Sequence, residues 1–449
     1  MNNLPKYRPK IAKKCTLSGF GKLTAGIVIL SLLGSCQYSS NNNLDLDIIA
    51  EKYVKTALRI GQYDKDFIDA YYGPEEWKPN RKESDTLPLT LVSEVQSLID
   101  QINELPIPNS TLDIARLYTL RKQIIAMQTK LLMLAGKHYD FDDEALLLYD
   151  ISPPHFDFSY FDTLLNRLDR FVPGQGALSD KYENFTRKFI IPKERLDTVF
   201  KTAIQEARRR TKLHFDLPAD ESFTLEYVTG KSWSGYNYYQ GNSHSLIQIN
   251  TDFPIYIERA LDLACHEGYP GHHVYNSLLE QNLVTDKGWV EFSLYPLFSP
   301  QSFIAEGSAN YGIKLAFPRD EKIRFEKEVL YPLANLDTSL AEKYAEVQKL
   351  RSKLNYAGNE IARLYLNGTW TRDEAASALE KYLLYEPERA MQRVQFIKQY
   401  RTYVINYNVG EDVIANYIRQ EAGMDYSKRW DVFGHLLSNP MTASMISKE

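Results

Sequence analysis

Pro270-Gly271 sits inside the one stretch where histidines and a glutamate crowd together, His266-Glu267-Gly268-Tyr269-Pro270-Gly271-His272-His273. Helical periodicity enters this stretch from Ile257, with Leu261, Ala264 and Cys265 on the inward side. Pro270 offers no N–H, and its ring clashes with the carbonyl four residues back, that of His266. Gly271 can take dihedral angles that other residues avoid. A regular helix therefore cannot carry all eight residues, and a widened turn is expected to absorb the excess.

That irregularity decides whether the side chains can share a metal. In the HExxH pattern the second histidine lies four residues after the first, about 40° around and about 6 Å along the helix; here that position is Pro270. On an undistorted helix His273 would lie about 10.5 Å from His266 along the axis, and His272 about 120° away in rotation. Neither suits zinc, which takes nitrogens at about 2.0–2.1 Å. If the turn absorbs two residues, His272 occupies the second ligand position and His273 stands behind it. If the chain bends the other way, His273 is the ligand; His272 is the favoured of the two.

A third ligand is expected from a later helix, and Glu306 is the candidate. It lies among small, weakly charged residues, Phe303-Ile304-Ala305-Glu306-Gly307-Ser308-Ala309-Asn310-Tyr311-Gly312, where a lone buried carboxylate would be costly. Asn310, one turn on, is placed to orient a ligand. With two histidines, one glutamate and an open fourth position, Glu267 is positioned to take a proton from metal-bound water and pass it to a leaving amine. One zinc ion is the expected cofactor, and manganese or iron suit the same donors.

The rest of the chain bounds the fold. Apolar residues recur at helical spacing from Ile48 to Ile60 and over Leu91–Ile102, Leu112–Leu134 and Arg195–Leu213, with Ser110 and Thr111 as caps for the third. Phe223–Val228 and Leu246–Asn250 alternate like strands around a connection rich in Gly, Ser and Tyr. After Ile255 helical patterns return, and no linker or repeat divides the body. The expectation is a mainly α fold, one large helical domain over 46–449 with a small β-sheet beside the metal-site helix. The formal charge of −5 gives no electrostatic reason to expect nucleic acid.

The N-terminus has the form of an export signal, with basic residues before the apolar run Leu23–Leu33 and then Leu33-Gly34-Ser35-Cys36. That tetrapeptide resembles a bacterial lipobox, which implies a signal peptide over 1–35, acylation of Cys36 and a polar tether over 36–45. The protein would then be held at a membrane of the cell envelope by lipid. No later run reaches the roughly 18 apolar residues needed to span a bilayer. Cys15 leaves with the signal and Cys36 carries lipid, so Cys265 is the one remaining thiol and the core must supply stability without disulfides.

HEGYPGHH followed by Glu306-Gly307-Ser308-Ala309-Asn310-Tyr311 resembles the zincin-like bacterial family catalogued as domain of unknown function eight hundred and eighty-five, marked by HExxPGHH and an EG-aromatic-A-x-Y helix. Ser308 stands where that family usually has tryptophan. Weaker matches are Asp69–Pro74, Glu206–Thr211, Trp370–Ala375 and Ile405-Asn406-Tyr407-Asn408-Val409-Gly410; the last lacks the family's lysine. The resemblance implies a relative of glutamate-type zinc metallopeptidases. By analogy, Tyr407 is the candidate for steadying an oxyanion and Arg401 for anchoring a carboxylate.

The expected activity is hydrolysis of a peptide or other amide by metal-activated water. The alternative is a non-catalytic lipoprotein that keeps the shell for binding peptide, glycan or a partner. Arg208-Arg209-Arg210 is expected to be a solvated helix face. Tyr236-Asn237-Tyr238-Tyr239 suits either a cleft wall or half-buried packing, and Cys265 reads as a buried, inert thiol.

Overall fold

The computed structural model describes residues 28–80 and 86–447, with side chains from residue 45 onward. The signal sequence and the lipobox, Cys36 included, lie outside the described side chains. Helices dominate. The first, Val28–Gly61, buries Ile49, Tyr53, Ala57 and Ile60, and the expected helices appear as Thr90–Glu104, Thr111–Leu134 and Leu196–Thr211. Ser110 caps Thr111–Leu134 through its hydroxyl, which accepts from the Asp113 N–H at 3.0 Å. Among the described residues no helix is long and apolar enough to cross a membrane.

Two small sheets interrupt the helices. β1 (Ile68–Tyr71) pairs antiparallel with β5 (Leu294–Pro296), and its register shifts at Asp69. The second sheet has the order β2-β4-β3, with β2 (Ser222–Val228) parallel and β3 (Gly235–Gly241) antiparallel to β4 (His244–Asn250). β3 departs from the sequence reading, in which these residues were a connection. Gly and Ser weaken the strand pattern, but Tyr236, Tyr238 and Tyr239 are good strand formers once β4 supplies a ladder.

The sheet lies against the site because Asn237 on β3 donates from Nδ2 to the Glu267 carbonyl at 2.6 Å. On the other side runs Pro300–Ala316, started by Ser299 as cap and Pro300 in its first turn and buried on nearly every face. It packs closely on Ile405–Ala422 through facing glycines. A Cβ on Gly307 would lie 2.5 Å from the Gly410 carbonyl carbon, so backbone approaches backbone with no room for a side chain. Gly312 is pressed in the same way against Pro270, with a Cβ at 2.9 Å from its ring. The helix carrying Glu306 is thereby set against the histidine stretch.

Candidate metal centre

The helix Ile257–Leu263 widens at its end. Tyr269 N–H bonds back five residues to the Ala264 carbonyl at 3.1 Å, and Gly271 N–H reaches the Cys265 carbonyl at 2.9 Å. The chain then breaks at the cis Tyr269-Pro270 bond, and a fresh helix begins at His272. The expected wide turn is present, but the helix ends and restarts instead of running through it. Pro270 cannot continue the hydrogen-bond ladder, and Gly271 passes so near the preceding turn that a Cβ there would lie 1.9 Å from the His266 carbonyl oxygen. Leu261 and Cys265 are fully buried beneath the turn; a side chain of leucine size contributes about 1.5–3 kcal/mol when so buried.

This path brings His266, His272 and Glu306 together, with one ligand atom from each within 4.8 Å of the others. The two Nε2 atoms are 3.2 Å apart, His266 Nε2 is 3.2 Å from Glu306 Oε2, and His272 Nε2 is 3.4 Å from Oε1. Donors at about 2.0–2.1 Å around a tetrahedral ion stand roughly 3.3–3.4 Å from one another, so the spacing fits one small divalent cation. Glu306 Oε2 is buried and lacks a hydrogen-bond partner, as an oxygen reserved for a ligand would be.

Neighbouring groups fix these donors. Asn310 Oδ1 accepts from His266 Nδ1 at 3.0 Å, and its Nδ2 donates to the Tyr407 carbonyl at 2.8 Å. Together these bonds set the imidazole tautomer and leave Nε2 free. Tyr403 donates its hydroxyl to Glu306 Oε1. The three groups are also coupled electrostatically. Burial pushes Glu306 up, but His272 and His266 hold it well below the usual carboxylate range. Burial disfavours the His272 cation, yet Glu306, Glu267 and Asp69 raise that imidazole to about 9.

Glu267 is buried beside the cluster, and burial raises it above its ordinary value. β3 closes over it at Gly235, where a Cβ would lie 2.8 Å from Glu267 Oε1. Tyr407 lies with its ring centroid 6.5 Å from that of His266, and its hydroxyl has no partner among the described residues. Both line the cleft that contains the three candidate ligands.

His273 does not join the cluster. It is wholly buried in a second network, with Nδ1 2.8 Å from Ser245 Oγ and Nε2 3.1 Å from Glu221 Oε2. Of the two histidines left open, His272 is the one near Glu306, because the new helix starts there and sends the next side chain about 100° away. Arg401 is committed to Glu144, with Nε 2.7 Å from Oε2, which removes it as a free carboxylate anchor. Arg208, Arg209 and Arg210 are all paired, to Glu221, Glu206 and both Glu206 and Glu321. Cys265 has no exposed surface, and burial pushes its thiol up.

Sequence reasoning missed Tyr403, Asp69, Gly235 and Glu221. Tyr403 precedes Tyr407 by four residues, a helical spacing that could have singled it out. Asp69 reaches the cleft from the irregular register of β1, as bulges commonly re-aim a side chain; burial, with Glu306 and Glu267 nearby, pushes it up to about 7 despite His272. Gly235 and Glu221 carry no local signal.

No protein-family model matches the chain, and no curated protein matches it either. Among solved structures it is similar to a candidate lipoprotein from Colwellia psychrerythraea, with TM-score 0.50 and 14% identity over 79% of this chain and 68% of that one. A candidate lipoprotein of unknown function from Shewanella oneidensis follows at TM-score 0.45 and 12% identity, covering 80% and 71%. Metallocarboxypeptidase 1 of Trypanosoma cruzi has TM-score 0.34 and 13% identity, covering 91% and 95%. The Colwellia likeness speaks to the fold alone, and the two lower scores carry no weight.

Proposed function

We propose that this chain is a metal-dependent hydrolase of peptide or related amide bonds, tethered to the cell envelope through Cys36. The observation that carries the reading is the convergence of His266, His272 and Glu306 at mutual distances suited to one small cation, with Glu267 buried next to them. These three residues would hold the ion. Zinc suits the two imidazoles and carboxylate, as do manganese and iron. When bound, the ion supplies Lewis-acid polarisation of water and of the substrate carbonyl.

The chain's own residues account for the proton. The Glu267 carboxylate, raised by burial, takes it from the attacking water and delivers it to the leaving amine. Tyr407 offers its hydroxyl to the oxyanion as charge develops. The cleft, about 1460 Å³ in volume, is large enough for several residues of a peptide. The lipobox supports the tether, in company with the Colwellia neighbour's description as a candidate lipoprotein.

Metal analysis of the purified protein beside Glu306→Ala, with peptide-library turnover of the parent and Glu267→Gln, tests the proposal. Stoichiometric metal in the parent and none in Glu306→Ala is expected, with turnover abolished in Glu267→Gln while its metal is retained. No metal in the parent overturns the site. Full metal with no hydrolysis of any peptide, amide or ester makes the chain a binding lipoprotein instead.

A further inference from the structure

Three arginines elsewhere in this protein are neutralised by carboxylates, Arg116 by Glu291, Arg363 by Glu360 and Arg401 by Glu144. Four arginines on the wall of the metal cleft are not. Arg259, Arg351, Arg389 and Arg393 all line the cleft, and none has a carboxylate partner among the described residues. Of the acids that share the cleft, Asp262 pairs with Lys322 and Glu411 with Lys314; Glu258, Glu380 and Glu386 line it too, and Glu258 acts on Arg259 and Arg351 through space without an ion pair to either.

The four come from three helices, and Arg351, Arg389 and Arg393 gather around Tyr385. Arg389 and Arg393 are one turn apart on Pro387–Tyr400 and so face the same side. Arg351 comes from the end of Ala341–Ser352 and Arg259 from Ile257–Leu263. The guanidinium carbons of Arg351 and Arg389 stand 5.5 and 4.8 Å from the Tyr385 ring centroid. Burial pushes the Tyr385 phenol up, yet Arg351, Arg389 and Arg393 together pull it down to about 7. Glu267 and Tyr407 line the same cleft as these arginines, and Arg393 lowers Tyr407 and Arg259 lowers Glu267 through space.

Guanidinium groups with no ion-paired carboxylate keep donors available on the cleft wall, Arg389 exposed and the other three half-buried, and their planar forks match a carboxylate with two parallel hydrogen bonds. We infer that this wall binds a carboxylate of the substrate, so that the enzyme selects peptides carrying a free carboxylate, terminal or on a side chain, close to the bond that is cut. The inference rests on the metallopeptidase reading and names the substrate class for that site.

The test uses three probes: acetyl-Ala-Ala-Ala, its C-terminal amide, and acetyl-Ala-Glu-Ala amide. Their binding to the metal-loaded full chain is measured by calorimetry in a Glu267→Gln background, and cleavage by the parent is followed separately. At least one anionic peptide is expected to bind about tenfold or more tightly than the neutral amide. Arg389→Gln and Arg393→Gln should each shrink that preference while leaving the neutral peptide's affinity and the metal content unchanged. Preference for acetyl-Ala-Ala-Ala assigns the wall to a chain terminus, and preference for the glutamyl amide assigns it to an acidic side chain. Equal binding of all three, or a preference that survives both substitutions, overturns the inference. Cleavage without anionic preference would sink the wall and spare the hydrolase; anionic preference without cleavage of any peptide would do the reverse.

Discussion

Tyr403 donates its hydroxyl to Glu306 Oε1 over 2.5 Å, both side chains being buried. That bond pins Oε1 on the His272 side and leaves Oε2, which has no hydrogen-bond partner, facing His266. Partners of this kind are typically worth about 10–100-fold in metal affinity. Tyr403→Phe should therefore lose metal to a competing chelator at a concentration lower by about that factor. Unchanged affinity would reduce Tyr403 to a packing role.

Two glycines near the centre should fail in different ways. A Cβ on Gly271 would meet the His266 backbone oxygen at 1.9 Å, whereas one on Gly235 would meet the movable end of Glu267 and the Leu263 Cδ2 at 2.8 Å. Gly271→Ala is expected to abolish metal binding, because the backbone joining two candidate ligands must shift. Gly235→Ala should keep its metal and lose turnover as Glu267 is displaced. Elemental analysis and kcat on both variants check this, and full activity in Gly235→Ala would count against Glu267 as the base.

Glu221 links pH to stability. Burial raises it, but bonds from His273, Tyr269 and Arg208 outweigh that and hold it at about 2, below the roughly 4.3 of an unfolded glutamate. A depressed carboxylate stabilises the fold above its unfolded value, and the contribution is lost as pH falls toward the folded one. Glu221→Gln should cost on the order of 3 kcal/mol at neutral pH. It should also flatten the decline in stability between pH about 5 and 2. Urea melts across that range measure both, and an equally steep decline in the variant would remove Glu221 as its source.

Tyr407→Phe tests the oxyanion role. The hydroxyl has no partner among the described residues and the ring lies beside His266, so its loss should leave metal content and stability nearly intact. Turnover is expected to drop about 100-fold, the usual effect of deleting one oxyanion donor. A change confined to KM would point to substrate packing instead.

The legible part of the fold was the part encoded in local periodicity. Leu112–Leu134 and Arg195–Leu213 read as helices because their apolar residues recur on one face, and the observed bounds are Thr111–Leu134 and Leu196–Thr211. β3 was not legible, since its glycines and polar residues form a strand only when β4 supplies the hydrogen bonds. At the site, His266, Glu267 and Glu306 stood out by residue type in an apolar or small-residue setting. Arg401 misled, because its partner Glu144 lies 257 residues away in the chain.

By itself the sequence determined that a straight helix cannot pass through Pro270-Gly271, since a missing N–H and a steric clash are properties of the residues themselves. Which histidine faces Glu306 was beyond it. That depended on where the chain restarts its helix, on Gly312 meeting Pro270 and on Gly307 meeting Gly410, all contacts between segments distant in sequence. The arginine wall belongs to the same class. A guanidinium is known to lack a carboxylate partner only when every element around it is in place, and for that reason only the tertiary structure could show it.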